Sequence, residues 1–236
     1  HGLEVKLVDA KHVKHVPGRK TDVADCQWIQ QLHSYGLLRG CFLPDRQIKV
    51  LREYWRQRGT LVESASREIL HMQKAFEQMN LHLHKVLSDI TGVTGMKIIR
   101  AIVSGERDAK RLAAMRERGV KSSEEEIVKA LTGDYSEQHL FVLSQALQLY
   151  DTFQGMIADC DSKLEQCLKR FESKAPHDKL KPKRRSGKRR KNQPHFELDK
   201  ELLRITGVDL TAIDGIDSLT AQTIIAEVGF DLSAFP

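Results

Sequence analysis

Apolar residues recur at alternating steps of three and four through Ile48, Leu51, Trp55, Val62, Ala65, Ile69, Met72, Phe76, Met79, Leu83, Val86 and Ile90, with Arg58 as the one polar break. This spacing lays one dry stripe along an α-helix, and a stripe of that length must meet another helix. A continuous helix over residues 48–90 would span roughly 64 Å at about 1.5 Å per residue. A second seam supplies a partner: Leu140, Leu143, Leu147, Tyr150, Gln154, Ile157, Asp161, Leu164, Leu168 and Phe171. Its polar positions, Gln154 and Asp161, weaken it, and such positions often fix register or oligomeric state at some cost in stability. The seams describe either two antiparallel arms within one chain or arms that pair with their copies in a homo-oligomer. With only 6% aromatic and 30% charged residues, the chain fits elongated helices better than a compact β-rich domain.

The arms account for residues 48–175, with residues 91–135 between the seams rich in glycine and suited to a small helical tip. One short helix there is expected to open at Ser122 with Glu125 three residues on, as in a capping box. Upstream, Leu3, Val5 and Leu7 alternate with Glu4 and Lys6, which predicts a strand. A lone strand is not stable, so its partners are expected outside this sequence or on another chain. Thr21 then stands at an N-cap position before a helix over about 22–35, closed near Gly36, and residues 37–47 run extended to Pro44. Downstream, residues 198–236 read as a separate small unit. Leu202, Leu203 and Ile205 end a helix at Gly207, a turn follows at Gly215-Ile216-Asp217, and Leu219, Ile224, Ile225 and Val228 share a face of a last helix ended by Gly229. The sequence begins at His1 inside what reads as one domain and stops at Pro236 as another begins, so truncation at both ends is expected.

The net charge of +6 has a single source. Nine Lys or Arg and no acid fall in residues 179–191, which leaves the remainder at −3. Residues 176–197 therefore read as a basic linker, with Lys183, Arg184, Arg185, Lys188, Arg189 and Arg190 as candidate phosphate contacts; a solvated linker is the alternative. No run of eighteen apolar residues suggests a membrane span. The four cysteines form no Cys-x-x-Cys pair, which suits a reducing compartment and buried apolar thiols.

The sharpest local feature is Lys20-Thr21-Asp22-x-x-Asp25. Carboxylates at i and i+3 share a helix face and can aim hard oxygen donors at one divalent cation. Capping and compensation of the helix dipole would select the same residues, so spacing alone leaves both readings open.

Three segments in order, VPGRKTDVADCQWI at 16–29, SDITGVTGMKIIRAIVSGE at 88–106 and LLRITGVDLTAIDGIDSLTAQTIIAEVGFDLSAF at 202–235, resemble the RuvC-like DEDD transposases of bacterial insertion sequences, described as RNA-guided recombinases. The resemblance implies a mainly α chain with a small α/β part. Residues 1–47 would be the end of an RNase H-like nuclease domain, residues 48–175 coiled-coil arms, and residues 198–236 the helix-hairpin-helix-like start of a second, C-terminal transposase domain. It also implies Mg²⁺ or Mn²⁺ as cofactor, with Asp22 and Asp25 as metal-binding catalytic acids, the third and fourth of the DEDD set. Arg19 and Lys20 would lie near the scissile phosphate. DNA is the implied partner, with a guide RNA beside it, in the bacterial cytoplasm at the nucleoid. Gly215 and Ile216 fit a hairpin whose backbone N–H groups approach a phosphate, but Asp217 stands where a second glycine is expected. The family's serine nucleophile is matched by neither Ser218 nor Ser233, so residues 1–236 are expected to be inactive alone. A non-catalytic coiled-coil nucleic-acid-binding protein and a stand-alone RuvC-like structure-specific nuclease are the alternatives.

Overall fold

Asp45 starts one of two 33-residue helices by accepting the Ile48 N–H at 2.9 Å, and the apolar seam that follows it organises the described residues. The computed structural model describes residues 5–13, 22–175 and 192–230. In chain order the helices are α1 (Ala10–Val13), α2 (Asp22–Ser34), α3 (Arg46–Gln78), α4 (Leu83–Val86), α5 (Val93–Val103), α6 (Ala109–Ala113), α7 (Glu124–Ala130), α8 (Glu137–Lys169), α9 (Leu198–Thr206) and α10 (Ser218–Val228), with a 3₁₀ turn at Leu210–Ala212. Among the described residues there is no strand and no helix long and apolar enough to cross a membrane.

Helices α3 and α8 are the two arms, and they pair antiparallel within one chain. Three clusters mark the contact. Met72, Phe76, Leu143 and Leu147 meet at the tip end, Leu61, Ala65 and Ile157 in the middle, and Ile48, Leu51, Leu164 and Leu168 at the base. The expected 43-residue helix is shorter than its seam. It stops at Gln78 because Asn80 turns left-handed (φ 55°), so that Leu81 N–H reaches Phe76 O at 2.8 Å and Asn80 N–H reaches Glu77 O at 2.9 Å. This is a Schellman closure with asparagine in the glycine position. Met79, Leu83 and Ile90 remain apolar because they turn into the tip core with Ile98, Ile99, Ile102, Leu112 and Ile127. In that tip the capping box opens α7 at Ser123 and Glu126, one residue later than expected. Ser122 instead donates its hydroxyl to Val86 O at 2.6 Å.

The expected strand is not formed over its described part, residues 5–8. One rung is present, Cys41 N–H to Leu7 O at 2.7 Å, and a single rung without a neighbouring sheet makes no ladder. Helix α2 follows its prediction closely: Leu37 N–H to Leu32 O and Gly36 N–H to His33 O, with Gly36 at φ 69°, end it in a second Schellman motif. The C-terminal helices do not stand apart from the arms. Leu198, Leu202, Ile205, Ala221, Ile225 and Ala226 share one core with Ile48, Leu51, Leu164 and Leu168. The face of α10 that enters this core is Ser218, Ala221, Gln222, Ile225 and Ala226, whereas Ile224 is exposed. The thiols also depart from expectation: Cys167 is buried and Cys160 half-buried, but Cys26 and Cys41 are exposed.

Candidate functional site

Asp22 and Asp25 occupy the first turn of α2, one helical step apart on one face, and both are exposed. Their carboxylates therefore sit at the positive end of the helix dipole. The helix itself buries none of its residues. It is tied to the preceding segment by the Trp28 indole N–H, which donates to Val13 O at 3.2 Å across the intervening residues. Arg19, Lys20 and Thr21 lie outside the described residues, and so do Lys183, Arg184, Arg185, Lys188, Arg189 and Arg190.

Two carboxylate groups are hard oxygen donors of the kind a magnesium ion takes, but they are an incomplete set. Among the described residues no group of three or more His, Cys, Asp and Glu is placed to hold a metal ion. The acid pair thus fits part of a divalent-cation site.

At the C-terminal turn, Gly215 has φ 86° and a Cβ there would meet open space, so the glycine serves the backbone angle and not a close approach within the chain. Asp217 is the N-cap of α10. Its Oδ1 accepts Thr220 N–H and the Thr220 hydroxyl, each at 2.9 Å. A carboxylate already fills the helix N-terminus, which is where a phosphate would otherwise be received.

The junction at the base of the arms was not anticipated as a unit. The Arg58 guanidinium meets Asp161 at 2.5 Å with the two side chains 5% and 2% exposed. Arg58 also donates to Asn192 O at 2.9 Å, and Asp161 accepts His195 N–H at 2.9 Å. The far flank of the basic stretch is held too. Lys174 and Ala175 N–H groups both donate to Arg204 O, while the Arg204 side chain donates to Leu168 O at 2.7 Å and Phe171 O at 2.8 Å. Residues 176–191 are consequently bracketed by two segments fixed to the base of the arms. The available signal was the pair of polar breaks, Arg58 and Asp161, of opposite charge in two apolar seams.

The same end of α3 grips α10. Arg56 donates through Nε and Nη2 to the two oxygens of Glu227, at 2.8 and 2.7 Å, and Arg52 donates to Ala226 O at 3.2 Å and to Glu227 O. The bonds from Arg56, and the charges of Arg56 and Arg52, hold the Glu227 carboxyl below the ordinary carboxylate range.

Residues 1–81 match a family model described as a transposase, that of the DEDD transposases of IS110-type insertion sequences. The match runs through α2 with its acid pair and along α3 to the closure at Leu81. No curated protein and no solved structure matches the chain. The family is one of DNA-processing enzymes, generally dependent on a divalent metal, and DNA is the partner it implies. Residues 1–81, with Asp22 and Asp25 at the head of α2, are thus similar to the DEDD transposases of IS110-type insertion sequences.

Proposed function

We propose that the chain is part of a transposase that cleaves and rejoins DNA strands, with Asp22 and Asp25 providing two of the four carboxylates of a Mg²⁺ or Mn²⁺ site. In this reading residues 1–47 close an RNase H-like nuclease domain, residues 48–175 form the arms and tip, residues 176–197 are the basic linker, and residues 198–236 open the C-terminal transposase domain. A divalent ion bound there would polarise the scissile phosphate. The residues of this chain have simpler tasks: the two carboxylates orient the ion from one helix face, and Arg19 and Lys20 neutralise the strand beside it. Lys183, Arg184, Arg185, Lys188, Arg189 and Arg190 grip the backbone of DNA or a guide RNA without reading sequence. Gly215 has a packing and turn role here, because Asp217 already caps the helix that a phosphate would approach.

The observation that carries this reading is the family match across an exposed acid pair set at i and i+3. The experiment is Asp22→Asn and Asp25→Asn in the intact transposase, scored for strand cleavage with Mg²⁺ and separately for DNA binding. Cleavage should be lost in both with DNA binding retained; recombination unaffected by either change overturns the reading. Residues 1–236 alone, given Mg²⁺ and DNA, should leave the strands intact, and robust cleavage by them would contradict the assignment of only two acids to this chain.

A further inference from the structure

Helix α10 rests on the base of α3 with an inward face poorly suited to a core. Ser218, Ala221, Gln222, Ile225 and Ala226 are buried, a set with one large apolar side chain, while Ile224 stays 39% exposed. Gln222 is 1% exposed, and among the described residues neither its Oε1 nor its Nε2 has a hydrogen-bond partner. A buried amide without partners opposes the docked position, because undocking returns it to water. What holds α10 is polar and comes from a short stretch of α3. Arg56 takes both carboxylate oxygens of Glu227, at 2.8 and 2.7 Å; Arg52 donates to Ala226 O and Glu227 O and lies 3.2 Å from Glu227 Oε2. Between them the Trp55 indole N–H donates to the Thr223 hydroxyl at 3.0 Å, and the Arg58 guanidinium stands 5.6 Å from the centre of the same ring. The Arg52 and Arg56 guanidinium groups thus receive a carboxylate and the negative end of a helix dipole. The Arg56 and Glu227 side chains are 59% and 34% exposed, so this ion pair lies at the rim of the contact, where another anion can reach it. Helix α9 is tied to α8 through Arg204, and the turn before α10 contains the exposed Gly215 at φ 86°, which gives α10 a hinge of its own.

We infer that α10 is a displaceable latch over a binding surface for single-stranded nucleic acid, in which phosphates take Arg52 and Arg56, a base stacks on Trp55, and Glu227 leaves with α10. A phosphate offers the Arg56 fork the same pair of oxygens that the Glu227 carboxylate does. An aromatic ring among guanidinium groups is a platform for unpaired bases, whereas the bases of a duplex are already stacked on one another. The exchange strands no group: Glu227 and the Gln222 amide pass into water as the strand replaces them. Glu227 is held below the ordinary carboxylate range by Arg56 and Arg52, so it is charged at neutral pH and keeps the latch closed until a strand arrives. From the reading of the chain as part of a transposase this takes only the class of partner. Neither acid of the α2 pair takes part, so a failed cleavage test and a failed latch test are separate results.

Hydrogen exchange of residues 1–236 with and without a saturating uridine or thymidine oligomer tests the latch without any variant. The α10 amides should exchange faster with the oligomer while those of α9 do not, and a duplex of the same length should leave α10 unchanged. A response to either oligomer supports the inference, and the larger one identifies the strand as RNA or DNA. In a Trp28→Phe chain, which leaves Trp55 as the single tryptophan, the oligomer should quench the emission. Glu227→Gln should tighten oligomer binding by about threefold, the scale of one exposed ion pair, relative to Glu63→Gln, an exposed acid on α3 that controls for net charge. Adding Arg56→Ala should remove that gain. Affinity contributed by residues 179–191 is common to these variants and cancels. Unchanged α10 exchange at saturation, the same response to a duplex, or binding by Glu227→Gln no tighter than by Glu63→Gln overturns the inference.

Discussion

Arg58 and Asp161 face each other from the two arms at 2.5 Å, buried, and each makes a further hydrogen bond to the segment that follows the basic stretch, at Asn192 and His195. Burying two charges is costly, and the pair repays the cost only while both members and their extra bonds are present. Arg58→Met or Asp161→Leu alone should each lower stability by about 3–5 kcal/mol, because each strands one buried charge. The double variant Arg58→Met with Asp161→Leu should recover most of that loss. Urea denaturation of the three variants gives the coupling directly; additive losses would mean that the pair is not coupled.

Arg204 ties α9 to the end of α8 with one planar group. Its guanidinium donates to Leu168 O and Phe171 O, and to Glu201 at 2.9 Å, while its own carbonyl accepts from Lys174 and Ala175. The fork geometry is specific to arginine; a lysine ammonium at the same place cannot serve carbonyls on two different turns equally. Arg204→Ala should cost about 2–3 kcal/mol, on the scale of hydrogen bonds to a charged donor. Arg204→Lys should regain less than half of it, again by urea denaturation.

The arms were legible in the sequence because a seam is a local property: the steps of three and four from Ile48 to Phe76 and from Leu140 to Leu168 are read without knowing the partner. The stop at Gln78 was not, since Met79, Leu83 and Ile90 continue the same period, and only the left-handed Asn80 and the tip core reveal that they have left the helix. Arg58 and Asp161 registered as two separate defects, whereas their meaning is the contact between them, 103 positions apart. Local chemistry placed Asp22 and Asp25 in a first turn and Gly36 at a helix end. The strand failed for the opposite reason, because a ladder depends on neighbours that residues 5–8 do not find among the described residues.

Glu227 gives the docking of α10 on α3 a pH dependence. Its carboxyl is held below the ordinary value of 4.5, first by the hydrogen bonds from Arg56 and then by the charges of Arg56 and Arg52. A depressed folded-state value adds stability above the unfolded value and loses it as pH falls through the folded one. Acidification from neutral pH should therefore leave this contribution intact down to about pH 5 and remove it below 4.5. Glu227→Gln should flatten that part of the stability profile, measured as the thermal midpoint against pH. The carboxyl is one-third exposed, so the effect is modest and should shrink further at high salt.

Asp217 provides a direct comparison of capping with phosphate binding at the Gly215 turn. As the N-cap of α10 it satisfies the Thr220 N–H, so Asp217→Ala should cost roughly 1 kcal/mol of stability. If the turn received a phosphate, removing the carboxylate would instead strengthen DNA binding. Fluorescence anisotropy with a labelled duplex should show unchanged affinity for Asp217→Ala, and a clear gain would return Gly215 to the nucleic-acid interface.

Two glycines should respond to alanine with opposite signs. Gly59 lies on the exposed side of α3, and a Cβ built there meets nothing within 4 Å, so Gly59→Ala removes only the entropy penalty of a helix-interior glycine. It should raise stability by about 0.5–1 kcal/mol. Gly133 is different: a Cβ there would press well inside contact distance of Met79 O and reach Asn80 O at 2.9 Å, at the point where Asp134 N–H bonds Met79 O. These are backbone atoms of the turn that ends α3, and they can yield only by opening it. Gly133→Ala should cost about 1–3 kcal/mol, the usual range for overpacking. Thermal denaturation of the pair tests whether the turn at Asn80 is fixed by the tip: an α3 that simply extended past Gln78 would leave Gly133→Ala as harmless as Gly59→Ala.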